Sequence, residues 1–62
     1  MTEVARAILR ALTPDAPVPL DNLVDTLAPV SASEIIASLF ELELSGMVRQ
    51  VPGKSFLRVW LE

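Results

Sequence analysis

Apolar side chains recur at Val4, Ala5, Ile8, Leu9 and Leu12, the alternating three-and-four spacing of one face of a helix. Thr2 stands where an N-cap is needed, and Arg6 and Arg10 fall on the opposite side, with Glu3 three residues before Arg6. The pattern stops at Thr13-Pro-Asp-Ala-Pro-Val-Pro19. Three prolines in that stretch favour extended backbone, with a short strand residue expected at Val18. A second, short helix is predicted from an N-cap at Asp21 through Ala28, turning Leu20, Leu23, Val24 and Leu27 inward and ending at Pro29. Ser31-Ala-Ser-Glu34 is a capping box: the serine hydroxyl accepts from the Glu34 N–H while the carboxylate reaches back. It predicts a third helix running to Ser45, with Gly46 as the left-handed residue that closes it.

Met47–Val51 and Ser55–Leu61 are rich in β-formers and flank Val51-Pro-Gly-Lys54. Proline fixes the first φ of a type II turn and glycine permits the positive second one, so the pair reads as a hairpin turning at Pro52-Gly53. The order is helix, extended link, helix, helix, hairpin. That is a winged helix-turn-helix, mainly α with a small β-hairpin as the wing. A small unrelated α+β bundle is the alternative. No repeat or linker divides residues 1–62, which are expected to form one domain.

Composition narrows the chemistry. The chain has 62 residues, no cysteine and no histidine, which excludes disulfides, thiol and imidazole catalysis and the usual zinc ligands. There are only two glycines and no nucleophile elbow, phosphate-binding loop or dinucleotide fingerprint. The carboxylate pairs Asp21/Asp25 and Glu41/Glu43 have no base or ligand cluster beside them. No enzyme activity, cofactor or metal is expected. No apolar run reaches the eighteen or so residues of a membrane span, and the charged N-terminal stretch does not resemble a signal peptide. A cytoplasmic location with no membrane contact is the expectation.

Charge changes the picture of the third helix. Residues 11–45 hold six acids (Asp15, Asp21, Asp25, Glu34, Glu41, Glu43) and no base, whereas residues 46–61 hold Arg49, Lys54 and Arg58 and no acid. A helix that reads DNA turns polar or basic side chains to the groove. Here Ile35, Leu39 and Leu42 form the core stripe, and the opposing surface is expected to carry Glu34, Ser38, Glu41 and Ser45. Two carboxylates there repel a phosphate backbone. Arg49, Lys54 and Arg58 on the wing are the candidate DNA contacts, with Lys54 at the turn tip the best placed. Three cations support only weak, salt-sensitive, sequence-independent binding; the alternative is ordinary solubility charge on an exposed hairpin.

Twenty-five side chains are Val, Ile, Leu, Met, Phe or Trp, more than a domain burying about 60% of its unfolded surface can hide completely. The surplus is traceable. Ile36, Phe40 and Leu44 form a second stripe on the third helix, with Phe40 and Leu44 about 100–150° from the centre of the core stripe. On the hairpin, Phe56, Arg58 and Trp60 share one face and Leu57, Val59 and Leu61 the other, so both faces are mostly apolar. Two readings stay open. Either these residues pack within the domain, with Leu44 meeting Phe56, or Ile36, Phe40, Leu44 and Trp60 form a protein interface.

The string itself carries a resemblance. Leu39-Phe-Glu-Leu-Glu-Leu-Ser-Gly-Met-Val-Arg49, then Pro52-Gly-Lys-Ser-Phe-Leu-Arg58, is similar to the C-terminal winged-helix domain of the DNA-processing protein A (DprA/Smf) family. Val18-Pro-Leu-Asp-Asn-Leu23 resembles that family's approach to its second helix. The resemblance implies a piece of a larger protein. Single-stranded DNA binding and recombinase loading in natural transformation would belong to a preceding Rossmann-like domain, none of whose residues correspond to positions here. What it implies for this chain is an accessory role: contact with that domain or with another subunit, and at most auxiliary nucleic-acid contact. The competing expectations are an independent DNA-binding domain of a transcription regulator and a homodimerisation domain.

Overall fold

A computed structural model describes residues 1–59. Trp60, and with it one of the four expected interface residues, lies outside them. Helix α1 (Glu3–Ala11) begins where Thr2 Oγ1 accepts the Ala5 N–H at 3.0 Å, as its cap position predicts. Strand β1 (Val18–Pro19) leads directly into α2 (Leu20–Thr26), and α3 (Ala32–Leu44) follows the break at Pro29. Strands β2 (Val48–Val51) and β3 (Ser55–Arg58) form the wing. The chain is a winged helix with one addition to the expected hairpin. Val18 and Pro19 pair antiparallel with Phe56 and Ser55, giving a three-stranded sheet of order β1-β3-β2.

The third helix is delimited as the sequence indicates. Ser31 Oγ accepts from the Glu34 N–H at 3.2 Å, although the return contact from Glu34 is absent among the described residues. At the other end Gly46 has φ +80, the Gly46 N–H bonds the Glu43 carbonyl and the Met47 N–H bonds that of Leu42. Those two bonds are the paired contacts of a Schellman closure, which turn the chain out of the helix and into β2.

Two local expectations are corrected. Asp21 is not the N-cap of α2; Pro19 holds the cap position two residues earlier, the helix begins at Leu20, and Asp21 sits in its first turn. The reason is long-range: the Leu20 N–H donates to the Lys54 carbonyl at 2.9 Å, so the wing tip caps the helix that a side chain would otherwise have to cap. Ser38 is buried, not part of the solvated face. It lies about 60° from Ile35 around the helix, at the edge of the face that α3 buries.

The core joins all these elements: Ala5, Ile8 and Leu12 of α1 and its cap, Leu23 of α2, Ile35, Leu39 and Leu42 of α3, and Val48 and Phe56 of the sheet. Each helix presents the face its periodicity predicts.

The wing turn holds one strained residue. Gly53 has φ +91, as a type II turn requires, but the pairing of Val51 with Ser55 makes the loop three residues long and leaves Lys54 at φ +58. Left-handed backbone costs an L-residue about 1–2 kcal/mol, and a new glycine gives back about 0.4–1 kcal/mol through its freer unfolded chain. Lys54→Gly is therefore expected to raise stability by about 0.5–1 kcal/mol, read as a higher urea midpoint. The backbone bond from Leu20 would remain. A lower midpoint would show that the lysine side chain stabilises the tip by more than its backbone strain costs.

A candidate docking groove between the third helix and the wing

Helix α3 turns two apolar stripes in different directions. Ile35, Leu39 and Leu42 enter the core, while Ile36, Phe40 and Leu44 are 51%, 60% and 74% exposed. Leu44 does not meet Phe56: it stands in solvent, whereas Phe56 is buried beneath the sheet. The internal-packing reading therefore fails for this stripe. The other helices and the hairpin leave this side of α3 largely open, most of all at Leu44.

Beside Ile36 and Phe40 a groove of about 370 Å³ opens between α3 and the sheet. Leu20, Leu39 and Phe56 contribute apolar surface, Glu43 and Gln50 add polar groups, and Lys54 stands at its wing end. Strand register explains the far wall. Gln50 is the partner of Phe56, and Val18 pairs with Phe56 from the other side, so these three side chains share the sheet face that looks toward α3. Leu20, Glu43 and Gln50 were not anticipated as groove residues. Gln50 could have been found from the hairpin, had the loop been taken as three residues; the position of Leu20 depends on the α2–wing contact and has no local signal.

The three wing cations do not converge. Lys54 is at the tip. Arg49 pairs with Leu57 on the outer sheet face, while Arg58 pairs with Val48 on the inner one. Arg58 lies four residues along β3 from Lys54, roughly 13 Å. Its Nη1 donates to the Leu9 carbonyl at 3.4 Å, at the exposed C-terminal end of α1, where a cation also complements the helix dipole. Arg58 thus ties the wing to α1. Arg49 and Lys54 have no ion pair among the described residues; the one such pair is Arg6 with Glu3, 3.8 Å apart and exposed.

The sequence match places the chain in a family. A family model for the DprA winged helix domain matches residues 2–54. The chain belongs to the DprA winged helix domain family. Neither curated proteins nor solved structures give a match. Within this DprA winged helix domain, the helix that follows the turn offers carboxylates and large apolar groups where a base-reading helix offers amides and guanidinium groups. No helix among the described residues is long and apolar enough to cross a membrane.

Proposed function

We propose that this domain is a non-catalytic, cytoplasmic accessory module of a DprA-like DNA-processing protein. It docks on protein through α3 and makes at most weak, non-specific DNA contact through the wing. Single-stranded DNA binding and recombinase loading then belong to the preceding Rossmann-like domain of the parent protein, and the docking partner is that domain or another subunit. The observation that carries the reading is the exposed stripe of Ile36, Phe40 and Leu44 on the helix that would otherwise enter a DNA groove. Contiguous exposed apolar side chains with an aromatic at the centre are what protein interfaces bury. Glu34 and Glu41 beside them, both exposed, disfavour a phosphate backbone on the same surface.

Fluorescence anisotropy with duplex and single-stranded DNA tests this. Each phosphate neutralised contributes about −0.9 to the slope of log K against log salt on duplex. With Arg58 engaged by α1, Arg49 and Lys54 are left to act, and the slope is expected to be no steeper than about −2. Binding should be sequence-independent and negligible near physiological salt. Sub-micromolar, sequence-dependent binding there would make the domain a DNA reader and overturn the proposal.

A further inference from the structure

The stripe on α3 has acids on both of its sides. Glu43, half-buried, lies about 60° from Phe40 toward the groove, and exposed Glu41 lies about 100° from Phe40 the other way, with Glu34 beyond it. Neither α2 nor α3 contains a base. Across the groove the single cation is Lys54, on the wing and not on the helix. From Ile36 to Leu44 the stripe extends about 12 Å along the helix axis, the length of roughly two turns of a helix laid beside it.

We propose that this surface receives an amphipathic helix of a separate partner protein, with its apolar positions flanked by Lys and Arg. The inference rests on the docking reading above and adds the partner's charge. Leucine-like side chains at helical spacing would cover Ile36, Phe40 and Leu44, with one entering the groove over Leu20 and Phe56. Flanking cations would meet Glu41 and Glu43. The same charges disfavour a second copy of this chain. Packing α3 on α3 sets Glu34, Glu41 and Glu43 against their own kind, and the one helix that carries bases, α1, already buries Ala5 and Ile8 in the core. Complementary potential both steers such an encounter and rejects wrong partners.

The test is a selection from displayed helical peptides with leucine at the helical repeat and random flanking positions, using the 62-residue chain as bait. The Phe40→Ser chain, verified as folded by circular dichroism, serves as counter-bait. Peptides enriched on the wild type over Phe40→Ser are expected to carry Lys or Arg beside the leucines. The double variant Glu41→Lys, Glu43→Lys should weaken them about tenfold, the effect of reversing two surface charge pairs. Neutral or acidic peptides that still depend on Phe40 would overturn the basic partner and leave docking by α3 standing. Peptides indifferent to Phe40 would overturn both. A dimer in sedimentation that Phe40→Ser abolishes would put a second copy on the stripe and overturn the separate partner.

Discussion

Leu39→Ala is expected to remove a large part of the domain's stability, while Phe40→Ser, one residue along the same helix, is expected to leave it nearly unchanged. Leu39 is 2% exposed and touches both the core and the floor of the groove. Truncating a buried leucine costs about 2–5 kcal/mol, from lost transfer energy and from the cavity left behind. A chain of this length is held by only about 3–9 kcal/mol in total. That is a large fraction of the total, and the chain has no cysteine with which a disulfide could supplement the core. Phe40 already stands mostly in solvent, serine and phenylalanine have similar helix propensities, and the change should cost no more than about 1 kcal/mol. Urea unfolding followed by circular dichroism separates the two. Equal losses would mean that Phe40 is packed inside the domain in solution, and the docking surface would disappear with that result.

The two stripes behind this contrast are legible in the sequence. The period of 3.6 that puts Ile35, Leu39 and Leu42 on one face forces Ile36, Phe40 and Leu44 onto another, and two short helices cannot cover both. The capping serine at 31 and the glycine at 46 were equally legible, because a helix end is specified by residues within one turn of it. Where the sequence misled, the cause was a partner distant along the chain. Asp21 looks like a cap because its own neighbours suggest one, yet the N–H that needs an acceptor finds the Lys54 carbonyl more than thirty residues away. Ser38 looks solvated because it is polar, yet it lies at the edge of the face that buries Ile35 and Leu42. The grouping of Arg49, Lys54 and Arg58 as one basic wing came from their proximity in sequence. Strand alternation and the reach of Arg58 to α1 divide them.

That division bears on function. A wing grips phosphate by presenting several cations on one surface, because the salt-dependent affinity grows with the number of charges engaged together. Here the sheet puts one arginine outside and another against α1, and its inner face supplies Gln50 and Phe56 to an apolar groove. The wing is therefore built as one wall of that groove, and its cations are not gathered on one surface as a DNA clamp requires. Its tip is held in place by the bond from Leu20 to Lys54, which fixes the distance between the wing and α2.

Phe56 is the residue on which this arrangement depends most. It is 7% exposed, occupies the central strand, and faces Val18 on one side and Gln50 on the other. Its ring is thus both part of the sheet's share of the core, with Val48, and part of the groove lining. Phe56→Ala should cost about 3–5 kcal/mol. For a domain of this size each kcal/mol moves the melting temperature by about 4–8 °C, so a fall of more than about 12 °C is expected. Because β1 and β2 both pair with β3, the wing and the extended link before α2 should lose hydrogen-exchange protection together with α2 and α3. Phe56→Leu is the informative companion: a more conservative hydrophobic swap costs less than about 1.5 kcal/mol once repacked, which keeps the fold while removing the flat ring under the groove. If Phe56→Ala lowers the melting temperature by less than about 4 °C, the wing is an appendage and not part of the core. The groove would then have no fixed second wall, and the proposed docking would fall to α3 alone.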